Sequence, residues 1–169
     1  TIRLSNGIVK DDVLVVGLSA KSAKGALQIE SGDLPLDTKA LLPLLGDLGA
    51  TGKADEVIKI PGTTTRLIVF SGLGKSAATY NNEVLRRAAG AATRALAGNS
   101  SATISLPAKS VAAVKAIAEG AALGNYTFTA FRGSTKSAQK NPLKSLTIHA
   151  ELAASAEAKG AVKSAEILA

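Results

Sequence analysis

Short aliphatic runs alternating with alanine-rich amphipathic segments predict a three-layer α/β domain with a largely parallel or mixed sheet between helices. Composition agrees with that class. The chain has 169 residues, 46 % of them hydrophobic and 20 % charged, proportions of a globular domain and not of a disordered tail. A domain of this length buries roughly 70 % of its unfolded surface, enough for a core without staples.

Taken in order, Val13–Leu18 is a nearly continuous β-branched and aliphatic run after Asp11 and Asp12, the pattern of a strand buried on both faces. Asp37–Leu48 is leucine-rich, yet Pro43 lies too far inside for an uninterrupted helix. Val57–Ile60 and Leu67–Phe70 read as further strands. In Asn82–Leu96 the residues Leu85, Ala88, Ala89, Ala92 and Leu96 recur at helical spacing, with Arg86, Arg87 and Arg94 elsewhere. Ala102–Leu106 is another strand pattern. Ser110–Leu123 follows as a helix with its apolar stripe on Val111, Val114, Ile117, Ala118 and Ala121, and Ser110 placed to cap it. Tyr126, Phe128 and Phe131 fall at near-alternate positions, as on a packed strand. Asn99–Ser101 and Arg132–Asn141 have loop composition. Leu146–His149 is the last strand pattern, and Ala150–Ala169 reads as a final helix. The missing initiator methionine and the stop within that helix read as a trimmed start and a cut end.

Composition excludes much familiar chemistry. Without cysteine there are no disulfides, thiolate metal sites or cysteine nucleophiles. The single histidine, His149, excludes a metal site built from several histidines. Tryptophan is absent and aromatics are 3 %, too few for a base-stacking platform. The longest weakly polar stretch, Val111–Gly124, contains Lys115 and Glu119 and falls short of the roughly 20 residues a membrane span needs. No apolar signal segment opens the chain.

Four features could carry chemistry. Ser71-Gly72-Leu73-Gly74-Lys75-Ser76 follows a predicted strand, where α/β sheets place ligand loops. It departs from a P-loop in spacing, and Ala77 stands where a third glycine of Gly-x-Gly-x-x-Gly belongs. A tight strand-to-loop turn requiring positive φ is the simpler reading of Gly72–Lys75. The carboxylate pairs Asp11-Asp12 and Asp55-Glu56 precede strands, where turn residues are common, and neighbours on a strand diverge to opposite faces. His149, at a strand end, lacks a positioned partner in the nearby sequence. Finally, the formal net charge of +7 and the spacing of Arg132, Lys136, Lys140 and Lys144 suggest phosphate contacts. Gly133 and Pro142 oppose a basic helix there, which leaves a solvated loop.

The order of these features resembles a known family. Leu67-Ile68-Val69-Phe70-Ser71-Gly72-Leu73-Gly74-Lys75 is followed by Leu85-Arg86-Arg87-Ala88-Ala89-Gly90, then by the strand ending Leu106-Pro107. Glu119-Gly120-Ala121-Ala122-Leu123-Gly124-Asn125-Tyr126-Thr127-Phe128, the lysine-bearing loop and Leu143–Ile148 complete the succession. From about Val13 to the end, the chain resembles the N-terminal domain of the leucyl aminopeptidase (cytosol aminopeptidase) family. The resemblance implies a macro-domain-like α/β fold over residues 1–149. It also implies a connecting helix, 150–169, toward a C-terminal peptidase domain. In that second domain the family carries two divalent metals, manganese or zinc. The full-length enzymes are cytoplasmic hexamers that remove N-terminal residues such as leucine from peptides. The family signature Asn-Thr-Asp-Ala-Glu-Gly-Arg has no counterpart here, so no catalytic, cofactor-binding or metal residue is carried over. The expected role is architectural, through contacts with the peptidase domain and neighbouring subunits, or by limiting access to active sites. Two other readings stay open: a nucleotide or ADP-ribose-like ligand at Gly72–Lys75, and non-specific nucleic-acid binding through Arg132–Lys144.

Overall fold

The aliphatic run around Val15 becomes the centre of a seven-stranded sheet. The computed structural model describes residues 1–7, 12–21, 25–32, 34, 36–126 and 140–167. Its strands are β1 (Ile2–Ser5), β2 (Val13–Ala20), β3 (Leu27–Glu30), β4 (Val57–Pro61), β5 (Leu67–Lys75), β6 (Ser101–Ser105) and β7 (Ser145–His149). The helices are α1 (Thr38–Asp47), α2 (Asn82–Ala95), α3 (Val111–Asn125) and α4 (Ala156–Ile167). The strands lie in the order β1-β7-β6-β2-β5-β4, with β3 also paired to β2. All contacts among β1, β7, β6, β2 and β5 are parallel, whereas β3 and β4 add antiparallel pairings. The sheet is therefore mixed, and helices flank it.

Alternation along β2 divides the core. Val13 and Val15 face a cluster shared with α2, α3 and α4, while Val16 and Leu18 face a smaller cluster with Leu45 of α1 and Phe70 of β5. Burial of β2 on both faces explains its unbroken apolar run. The helix starts follow local chemistry. Asp37, Asn81 and Ser110 each accept a hydrogen bond from a first-turn amide, that of Ala40, Glu83 and Ala113 respectively.

Helices α2 and α3 cross with their backbones almost touching. A Cβ on Gly120 would stand 2.0 Å from the Arg86 carbonyl oxygen, and one on Gly124 2.5 Å from that of Gly90. Only glycine permits this approach. It sets the Arg86 guanidinium against Glu119, with Nε and Nη2 donating to the same carboxylate oxygen at 3.0 and 2.8 Å. Glu83 also accepts from Arg86. Hydrogen bonding to Glu119, then to Glu83, raises the guanidinium above its ordinary pKa.

Several elements depart from the sequence expectation. Pro43 lies inside α1, exposed to solvent; at the sixth position it removes one helical hydrogen bond near the N-terminus without breaking the helix. Strands β1 and β3, four residues each, are additions. The final helix does not start at Ala150: a 3-10 turn, Glu151–Ala154, precedes α4, with Ser155 between them. Ala158, Val162 and Ala165 of α4 join the larger cluster. Leu168 and Ala169, Phe128 and Phe131, and the loop residues Arg132 and Lys136 lie outside the described residues. Tyr126 is 59 % exposed, not packed on a strand.

Candidate ligand crevice at the sheet edge

Sequence reasoning pointed to Gly72–Lys75, and there the structure corrects it. These residues are not a strand-to-loop turn but the last part of β5, paired with β2 across a register shift after Leu18. Gly72 is required by packing: a Cβ would lie 1.7 Å from the Lys53 carbonyl oxygen. Of Gly72 and Gly74, only Gly74 has positive φ, at 81°. The Gly72 and Gly74 amides donate to the Glu56 and Gly52 carbonyls at 2.8 Å each. With both amides already engaged, the segment offers neither as a phosphate donor.

The carboxylate pair Asp55-Glu56 is explained by local structure as well. Asp55 has φ of 66°, a left-handed conformation that Asp tolerates better than most side chains, and it pairs with Arg87. Glu56 accepts from the Thr51 and Gly52 amides and the Thr51 hydroxyl, at 2.7 to 3.2 Å. It closes the loop before β4. Asp12 donates through its amide to the Ser101 hydroxyl at 3.2 Å, and Asp11 is not among the described residues. Among the described residues no group of three or more His, Asp or Glu could hold a metal ion.

His149 has a different setting. It ends β7 at the carboxyl edge of the parallel strands and is 5 % exposed. Its Nδ1 lies 3.3 Å from the Gly7 carbonyl oxygen. A carbonyl only accepts, so Nδ1 carries the proton and donates, and in the neutral ring the lone pair sits on Nε2. The topology around it is informative. From β2 the chain proceeds to its parallel neighbour β5 on one side, whereas β6 is followed by β7 on the other. The reversal falls between β2 and β6, the place beyond the strand ends where open α/β sheets bind ligands, and β3 pairs with the end of β2 there.

A cavity of about 460 Å³ lies at this edge, lined by the ends of β3, β6 and β7. The Ser105 hydroxyl donates to the Ser31 carbonyl at 2.5 Å and ties the turn after β3 over the end of β6. Glu30 is held by the Ser19 and Tyr80 hydroxyls, which donate to its Oε1 at 3.1 and 2.8 Å. Burial, and in smaller measure the Glu30 carboxylate, push the Tyr80 phenol above its ordinary pKa, against the opposing effect of Ser19. On the rim, the Lys109 ammonium donates to the Ala78 carbonyl at 2.9 Å. Glu151, in the turn after β7, also lines the cavity. Of these groups only His149 was singled out from the sequence. Glu30, Lys109 and Glu151 are scattered along the chain and converge only through the strand order.

Comparisons with known proteins address the whole chain. Residues 15–135 match the cytosol aminopeptidase family, N-terminal domain. A "Probable cytosol aminopeptidase" of Streptomyces griseus is 44 % identical over 134 residues, which are 74 % of this chain and 26 % of the relative. One of Clavibacter michiganensis is 37 % identical over 146 residues, 85 % of this chain and 28 % of the relative. The chain thus spans about a quarter of the length of these relatives. In fold it is similar to the bottromycin maturation enzyme BotP in complex with Mn, with a TM-score of 0.62 and 20 % identity, covering 92 % of this chain and 29 % of that one. A tomato leucine aminopeptidase mutant gives 0.60 and 21 %, covering 98 % and 35 %. No helix among the described residues is long and apolar enough to cross a membrane. With the family match over most of its length and the mixed α/β fold in common, the chain belongs to the cytosol aminopeptidase family, as its N-terminal domain.

Proposed function

We propose that this chain is the non-catalytic N-terminal domain of a longer, metal-dependent leucyl aminopeptidase, and that its role is architectural: assembly, or control of access to the active sites. The observation carrying this reading is the family match over residues 15–135 in a chain spanning 26 % of a curated relative. The remaining length of such relatives leaves room for a separate peptidase domain. In this reading residues 1–149 form the accessory domain and 150–169 lead toward the peptidase domain, with α4 packed on α3 by its buried alanines. In this reading that second domain would hold two divalent ions, manganese or zinc, which would supply metal-assisted hydrolysis there. A cytoplasmic hexamer is the proposed assembly, with neighbouring subunits as partners. The relatives' printed names and the manganese in the BotP complex support the reading.

Hydrolysis of a leucine anilide with added manganese or zinc tests it, on this chain and on the full-length gene product side by side. Activity in the longer protein alone is the expected result. Activity in this chain would overturn the non-catalytic assignment, and inactivity of both would overturn the aminopeptidase reading.

A further inference from the structure

The amino edge of the sheet, opposite the crevice, leaves large apolar side chains uncovered. Val114, Ile117 and Val162 of α3 and α4 are buried, yet Leu123, Tyr126 and Ile167, at the ends of the same helices, are 58, 59 and 78 % exposed. These ends lie side by side. Helices α3 and α4 follow the parallel strands β6 and β7 and pack on each other, so both run back toward the strand starts, and packed helices stand about 8–10 Å apart. Asn125, the last residue of α3, donates through Nδ2 to the Leu143 carbonyl at 2.9 Å and accepts from the Leu143 amide at 2.8 Å, just before β7. Glu166, in the last turn of α4, accepts from the Ile2 amide at 3.1 Å, and Ile2 is in register with Leu146 at the start of β7. The Glu166 bond uses a free strand edge. β1 ends the sheet, and the Leu146 and Ala150 amides donate to its Thr1 and Ser5 carbonyls at 3.0 Å each, so alternation turns the backbone groups of Ile2 and Leu4 outward. The end of α4 is thereby anchored on the edge strand.

We infer that this amino edge, at the feet of α3 and α4, is the surface on which the peptidase domain of the longer protein seats. The inference rests on the reading above, in which 150–169 lead into that domain, and relatives of which this chain spans 26 and 28 % leave most of their length to it. With the last turn of α4 held on β1, the following domain begins beside Ile167 and against this edge. It does not begin against α1, which packs on the opposite face of the sheet and exposes Leu44 and Leu48 there. Domain interfaces of the usual size, roughly 600–1,500 Å², are partly polar. Leu123, Tyr126 and Ile167 supply the apolar anchors, and the exposed Lys144 and Lys163 supply a polar rim. A second copy of the chain fits this edge less well, because the segment leaving α4 occupies part of it.

Hydroxyl-radical footprinting of this chain and of the full-length gene product tests the surface. Labelling of Leu123, Tyr126 and Ile167 should fall about threefold or more in the longer protein, as half-exposed side chains enter an interface core. Equal labelling of the three in both proteins would overturn the surface, and so would protection confined to Leu44 and Leu48. Leu123→Gln combined with Ile167→Gln, both at exposed positions, should leave the melting temperature of this chain unchanged. In the full-length protein the same pair should separate the melting of the two domains, with the subunit number in sedimentation unchanged. An unaltered single transition would overturn the proposal. Loss of subunits without separation of the domains would assign the edge to a neighbouring copy and overturn it as well. A full-length protein that hydrolyses leucine anilide yet leaves the three residues unprotected would overturn the surface alone. Protection of the three in an inactive full-length protein would overturn the aminopeptidase reading and leave the seating surface standing.

Discussion

On one face of the sheet α2, α3 and α4 bury alanines in a single large cluster, with Ala88, Ala89, Ala92, Ala118 and Ala121 among its members. On the other, α1 and β3 contribute to a smaller cluster centred on Leu45, Leu18 and Phe70. The larger cluster holds large side chains as well, Leu85, Leu96, Ile104 and Ile117 among them, but where α2 crosses α3 it packs by backbone proximity, through glycines. The smaller cluster fills its space with side chains alone. The glycine crossing tolerates almost no added volume, while the leucine and phenylalanine packing is sensitive to volume removed. The crevice borders both: Leu106 and Ala150 belong to the larger cluster and Ile29 packs against the smaller. It opens where β6 and β7 end, and its polar groups are held by hydrogen bonds to neighbouring strands and turns.

The largest effect should come from adding one carbon to the glycine crossing. Gly120→Ala would drive a methyl group into the Arg86 carbonyl and separate α2 from α3, costing about 3 kcal/mol or more in urea unfolding. Leu45→Ala, on the opposite face, should cost about 2–3 kcal/mol, the lower part of the buried-leucine range, because exposed α1 can settle into part of the cavity. If Leu45→Ala cost clearly more than Gly120→Ala, the ranking of the two faces would be reversed. Glu119→Gln removes the ion pair across the α2–α3 crossing. Its expected cost is about 1 kcal/mol after allowing for solvent screening at the partly exposed Arg86.

The smallest effect concerns pH. Tyr80 is raised above its ordinary 10.0 by burial first, with Glu30 adding to it. Above pH 10 the unfolded chain therefore loses this proton before the folded one does. The folded state binds more protons there, and stability falls as pH rises from about 10 toward the folded value. Melting curves of wild type and Tyr80→Phe should diverge in that range, with the variant showing the shallower decline. Parallel curves would remove Tyr80 from the account.

Legibility followed the same division. The strands around Val15 and Val69 and the helices around Ala89 and Ile117 were readable because burial is written into continuous or 3.6-periodic apolar patterns. Ser110 announced the start of α3 as a capping residue. Ile2–Ser5 and Leu27–Glu30 were not readable: four alternating residues at a sheet margin carry little signal, and their pairing with β7 and β2 is decided by tertiary contacts. At Gly72–Gly74 a loop was expected from glycine content, yet close approach of Lys53 and the bulge opposite Leu18 explain the glycines within a strand. The crevice was least accessible. Glu30, Lys109, His149 and Glu151 share no local motif, and their convergence depends on β7 lying next to β6 while β3 folds back on β2.

The central claim, that this domain serves an aminopeptidase without carrying its chemistry, is tested most directly by metal content. After dialysis against manganese or zinc and removal of free ion, elemental analysis should find no stoichiometric metal on this chain and two ions per subunit on the full-length protein. Stoichiometric metal on this chain would contradict the account, placing a metal centre among carboxylates assigned here to turns and ion pairs.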